Sequence, residues 1–110
     1  YGGSGGEQDH FLGNLHVAFL FRENMKITFF DKFSQYYFIP KEFEINDVEG
    51  KMVSLVPFPK VENLITDGLN WELRNEELDI TTRIGTRNFA KKNTVKVSYK
   101  KGDLLIFIGN

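Results

Sequence analysis

Cysteine is absent from the 110 residues. That excludes a disulfide framework, a thiolate zinc site and a cysteine nucleophile. Histidine is almost absent too. His10 and His16 show no His-x-x-x-His spacing, and Ser34, Ser54 and Ser98 lie in no G-x-S-x-G motif. Nucleophilic catalysis therefore has no visible machinery. No apolar run approaches the roughly 18 residues of a membrane span, and no signal peptide is visible, so localisation is left undetermined. Past residue 6 the glycines stand singly, at Gly13, Gly50, Gly68, Gly85, Gly102 and Gly109, which is not a phosphate-cradling loop. Carboxylates do pair, as Glu76-Glu77 and as Glu42 with Glu44. The first pair sits at an expected hairpin tip, where solvent withholds the shielding that a general acid needs. The expectation is a non-enzymatic chain with no cofactor and no metal.

What the chain has is aromatic bulk. Eleven Phe, four Tyr and one Trp suit strands and a core of large side chains. Val95, Val97 and Tyr99 alternate with Thr94, Lys96, Ser98 and Lys100, the period of a strand buried on one face. Lys101-Gly102-Asp103 then reads as a turn, and Leu104 to Ile108 as a strand covered on both faces, so Asn93 to Ile108 is expected to be a terminal hairpin. Asn14 to Arg22 and Met25 to Asp31 read as a first hairpin turning at Glu23-Asn24. Tyr36 to Ile39 is a short strand, and residues 41–48 fit a helical turn or an irregular strand. Lys51 to Val56 is a strand that Pro57 and Pro59 end, in an edge position.

Val61, Leu64 and Ile65 fall at helical spacing, so residues 60–66 could be one short helix or another strand. Leu69, Trp71 and Leu73 alternate with Asn70, Glu72 and Arg74. Leu78 to Ile84 alternates after a turn at Asn75-Glu76-Glu77, and residues 85–92 form a loop. Seven or eight short antiparallel strands at this length predict an all-β small barrel or compact sandwich. Tyr1 to Gly6 (YGGSGG) reads as an appended linker and residues 7–13 as a lead-in, leaving 14–110 as a single β domain.

The net charge of −1 hides a dipole. Glu42 to Asp79 carries ten acids and three bases, and Arg83 to Lys101 carries seven bases and no acid. The basic stretch either pairs with the acidic middle or meets an anionic partner. For a nucleic acid, Arg83, Arg87, Lys91, Lys92, Lys96 and Lys100 would neutralise phosphates. Tyr36 and Tyr37, with Phe33 beside them, would stack on bases.

Phe38-Ile39-Pro40-Lys41-Glu42-Phe43 and Lys101-Gly102-Asp103-Leu104-Leu105-Ile106-Phe107 are somewhat similar to the opening and closing stretches of B3-type DNA-binding pseudobarrels. That pattern departs at Gly85-Thr86, where a Gly-Trp pair would stand, and membership is not inferred. The near-zero net charge and the apolar residues on both faces of two strands favour a protein–protein interaction module, with another protein chain or a homo-oligomer as partner. Nucleic-acid binding (DNA or RNA) through residues 83–101 is the alternative.

Overall fold

The computed structural model describes residues 13, 14, 16–22, 27–30 and 34–109, and of residues 85–87 the backbone only. The linker at 1–6, the lead-in up to Leu12, the Glu23-Asn24 turn and Phe33 lie outside the described residues.

The eight strands are β1 (Phe29–Phe30), β2 (Ser34–Ile39), β3 (Glu42–Ile45), β4 (Met52–Asp67), β5 (Arg74–Asp79), β6 (Gly85–Phe89), β7 (Val95–Ser98) and β8 (Lys101–Gly109). They form one antiparallel sheet in the order β1-β2-β8-β4-β7-β3, with β5 and β6 also paired to β4. The sheet curls into a half barrel, so the all-β expectation holds, with one short helix beside it.

That helix is not at 60–66. Residues 13–14 and 16–20 are helical, where a strand was expected. Phe21 N–H donates to Val17 O (3.2 Å), the spacing of a helical turn. The run Leu15 to Phe21 is almost wholly apolar, so it satisfies a two-residue and a helical period alike. Packing decides between them. Ala18 is buried and Phe19 and Arg22 half-buried, at i, i+1 and i+4, while Val17, Leu20 and Phe21 stay exposed. Phe19 meets Phe38 (5.7 Å) and Phe58 (5.2 Å) on the sheet. The first hairpin is therefore absent among the described residues, and Phe29–Phe30 pairs forward with β2 instead.

The terminal hairpin is also absent, because β7 and β8 do not pair with each other. β4 lies between them: Val53 to Pro57 pairs with Ile108 to Leu104 of β8, and Ile65 to Asp67 with Ser98 to Lys96 of β7. β4 runs 16 residues through both prolines and is central, not an edge. The missing proline N–H groups are absorbed where the register shifts, between Pro57 and Val61 against β8. A second irregularity lies between Val61 and Leu64 against β5, where Asn63 takes φ 57°. This break gives residues 60–66 their false helical spacing. The ambiguous stretch at 41–48 resolves into β3.

β8 is covered on both faces. Leu104, Ile106 and Ile108 enter the main core with Val53, Leu55, Val61, Leu64 and Val95. Leu105 and Phe107 face a second cluster with Tyr36, Phe38, Val56 and Phe58, which Phe19 of the helix caps. No helix of the described residues is long and apolar enough to cross a membrane.

Tyr99 closes the sheet where β7 turns into β8. It is only 7% exposed, and its hydroxyl donates to Ile39 O (2.5 Å). Burial, with the negative charge of Asp103 adding to it, pushes the phenol up to about 12. An unfolded tyrosine titrates near 10, so above that pH the unfolded chain releases a proton that the native chain keeps. Stability is fully present below about pH 10 and falls as pH rises toward 12, by about 1–3 kcal/mol. Urea unfolding at several pH values should show that slope, and Tyr99→Phe should reduce it to the part left by Tyr37, whose phenol burial also raises. An unchanged slope in Tyr99→Phe would assign the alkaline loss to other groups.

Candidate functional site

Between β4 and β5 the chain makes a short loop, residues 68–73, and its backbone is held from every side. Gly68 N–H donates to Glu72 Oε2 (2.8 Å) and Leu69 N–H to Glu72 Oε1 (3.2 Å). Asn70 N–H donates to Phe89 O (2.8 Å). Trp71 N–H donates to Asn88 Oδ1 (3.0 Å), and Asn88 Nδ2 donates back to Trp71 O (2.7 Å). Leu73 N–H donates to Thr66 Oγ1 (2.9 Å), whose own hydroxyl donates to Glu72 Oε1 (2.7 Å).

The loop cannot spread outward at its start. Gly68 takes φ +105°, and a Cβ there would stand 2.5 Å from Thr94 O. Leu69 and Leu73 are buried and anchor the loop on the core. Trp71, between them, is 61% exposed. The alternation Leu69, Trp71, Leu73 predicts one buried face. It fails because the segment is a loop that pairs with the sheet in strand fashion only where Leu69 faces Ala90.

Trp71 lines a cavity of ≈ 190 Å³ together with Leu55, Glu72, Leu73, Leu78, Arg83, Ile84 and Asn88. An apolar cavity of about 150 Å³ admits benzene, so this one has room for a single flat ring. The indole adds an uncovered π-face, which attracts aromatic rings and cations. Arg83, on the same wall, is paired with Glu76 at 2.6 Å. A larger cavity, ≈ 790 Å³, lies between the N-terminal helix and the start of β3. Its half-buried charges Arg22 and Asp103 are closed on each other at 2.6 Å, which leaves the Trp71 loop as the better-equipped site.

The residues singled out for nucleic acid lie elsewhere or are engaged. Tyr36 and Tyr37 are 4% exposed. Tyr36 stacks between Phe29 (5.3 Å) and Phe107 (5.0 Å), and Tyr37 packs edge-on against Phe43 (5.9 Å). Neither presents a face to a base, because strand β2 is covered on both sides. Lys92 lies 2.9 Å from Asp67, whose carboxyl it holds below the usual range, chiefly through their hydrogen bond. Lys96 lies 3.9 Å from Glu44. Together with Arg83 and Glu76, these pairs join the basic stretch to the acidic middle. Lys91 and Lys100 are exposed, and the side chain of Arg87 lies outside the described residues.

Residues 37–104 match the family described as thiamin pyrophosphokinase, vitamin B1 binding domain. The chain belongs to that family. Thiamine pyrophosphokinase of Bacillus subtilis is 29% identical over 110 residues, covering 96% of this chain and 51% of that protein. Thiamine pyrophosphokinase 1 of rice is 29% identical over 103 residues, covering 88% of this chain and 39% of that protein. The crystal structure of the Bacillus subtilis enzyme superposes with a TM-score of 0.85 at 24% identity, over 94% of this chain and 50% of that one. The chain thus spans about half or less of the curated relatives it matches.

Membership in a vitamin B1 binding family overturns the expectation of a non-enzymatic protein- or nucleic-acid-binding module. The relatives are enzymes, and the family's name specifies a small molecule. The same finding displaces a separate protein chain, DNA and RNA as the expected partners. The error had a physical source. A charge-poor exposed tryptophan is invisible to charge counting, and its strand-like neighbours disguise it as core. Thr66, Glu72 and Asn88 were missed with it. No local signal marked the loop: residues 69–73, bounded by Asp67-Gly68 and Asn75, have an ordinary length for a strand.

Proposed function

We propose that this chain is the vitamin-binding part of a thiamin pyrophosphokinase, and that it holds vitamin B1 against Trp71. The proposed activity of the whole enzyme is transfer of a pyrophosphate group to thiamin, with this chain supplying recognition of the acceptor. The observation that carries the reading is the exposed indole on an immobilised loop beside a ring-sized cavity, in a chain of this family. Thiamin joins a flat aminopyrimidine to a positively charged thiazolium. Stacking on an indole suits the first ring, and a cation–π contact suits the second.

Trp71 is the sole tryptophan, so its fluorescence reports on the site alone. Adding thiamin to the chain should quench it along a saturable curve with a midpoint below about 1 mM, the upper range of enzyme Michaelis constants. Linear quenching, no steeper than that of free tryptophan amide, would mean collision only and would sink the reading.

A further inference from the structure

We infer that Asn88, and the Thr66–Glu72 pair behind it, are positioning residues that hold Trp71 as a rigid platform, so that the vitamin meets a loop already in its bound shape. This rests on the reading given under Proposed function. It adds how the affinity is produced and which residues produce it.

The argument starts from Asn88. It is 7% exposed and sits on β6 opposite Val53 of β4. A buried amide must find partners for its polar atoms. Asn88 finds them on one residue: its Oδ1 accepts from Trp71 N–H and its Nδ2 donates to Trp71 O. Oδ1 also accepts from Phe89 N–H (2.9 Å), which fixes the amide to its own strand. The side chain thus stands in for a neighbouring strand and pairs with both peptide groups of the tryptophan.

The Glu72 carboxylate does the same work one residue on. It gathers Gly68 N–H, Leu69 N–H and the Thr66 hydroxyl, tying the loop to the end of β4. Leu69 and Leu73 anchor the two ends of the loop on the core. Of the additional bonds, the two from Asn88 close on Trp71, whose side chain the fold leaves 61% exposed, and those of Glu72 fix the residues leading into it. A loop that is ordered before binding does not pay its ordering entropy on binding, and that difference appears as affinity. Freeing a loop and one large side chain typically costs about 1.4 kcal/mol, which is about tenfold.

The test joins two readings of the same indole. Time-resolved anisotropy of Trp71 should decay with the tumbling of the whole chain in the wild type. Asn88→Ala should add a nanosecond component, the timescale of loop motion, and weaken thiamin binding about tenfold. Because that variant strips partners from a buried site, Thr66→Val and Thr66→Ser provide a milder pair, with folding checked by circular dichroism. Valine removes the hydroxyl and should mobilise Trp71 and weaken binding several-fold; serine restores it and should return both values to wild type. A folded variant with a mobile Trp71 and undiminished affinity would overturn the inference while leaving the vitamin-binding reading intact. So would a folded Asn88→Ala chain in which Trp71 stays rigid. A wild-type chain that shows no saturable quenching at all overturns the vitamin-binding reading itself, and the inference with it.

Discussion

Trp71→Ala is expected to weaken thiamin binding at least about thirtyfold while leaving the unfolding free energy within about 0.5 kcal/mol of wild type. The two halves of that statement have separate grounds. Large binding losses on truncation come from aromatic side chains that fill or cover a pocket, and about 2 kcal/mol is the usual threshold. Small stability losses come from side chains the fold does not bury, and this one is 61% exposed. The loop itself does not depend on the indole. Its hydrogen bonds run through the backbone of Gly68, Leu69, Asn70 and Trp71 and through the side chains of Glu72 and Asn88, none of which the substitution removes. Calorimetric titration is the measurement, since the variant has no tryptophan left to report. Trp71→Phe should recover part of the affinity, because a smaller π-face remains. Equal affinity in wild type and Trp71→Ala would place the vitamin elsewhere, with the cavity beside Arg22 and Asp103 the next candidate.

Charge and periodicity made the scaffold legible but not the site. The unbroken apolar run Leu104 to Ile108 announces a strand covered on both faces, and the two clusters on either side of β8 are what cover it. Val95, Val97 and Tyr99 were readable as buried, and are, while Lys96 and Lys100 face water. Such features depend on neighbours within a few residues. The failures all depend on partners far away. Asn14 to Arg22 fits two periods, and only the rings of Phe38 and Phe58 select the helical one. Pro57 and Pro59 look terminal until an irregular register with β8 lets β4 continue past them. β7 and β8 adjoin in sequence, yet a 16-residue strand separates them in the sheet.

The acidic and basic stretches show the same limit from another side. Their existence was plain in the sequence, but what they meet was not. Lys92 with Asp67, Lys96 with Glu44 and Arg83 with Glu76 turn much of the apparent dipole inward across the sheet. Exposed pairs of this kind add little stability, about 0–1 kcal/mol each. Their consequence is mainly for recognition: a surface whose opposite charges adjoin gives weak long-range attraction to a polyanion. Recognition then falls to a neutral feature, the indole, which no charge pattern could reveal. Asn88 was equally hidden, since an asparagine that pairs with the backbone 17 residues away carries no local signature.

Gly102→Ala is expected to cost about 3–5 kcal/mol, a large share of the 5–15 kcal/mol that holds an ordinary domain together. Gly102 opens β8 with φ +99°, where an L-residue pays about 1–2 kcal/mol for its Cβ. The larger part is steric. A Cβ there would be driven into Lys60 O and would stand 2.9 Å from Lys60 C and 3.0 Å from Val61 Cα. These are backbone atoms of β4 at the point where Val61 pairs with Gly102 and Glu62 with Lys101, so no flexible side chain can yield. Either β8 lifts from β4 or β4 shifts, and β4 is the strand that delivers Thr66 to the base of the Trp71 loop. The loss should therefore appear twice, in urea unfolding and as a slackened Trp71 anisotropy below the transition. Gly50→Ala supplies the comparison. Gly50 has a similar φ of +83°, but no atom lies within 4 Å of its notional Cβ, so only the conformational cost of about 1–2 kcal/mol should remain. The difference between the two variants isolates the close approach of the strands. Equal losses would show that backbone conformation, not the contact between β8 and β4, sets the requirement for glycine at 102.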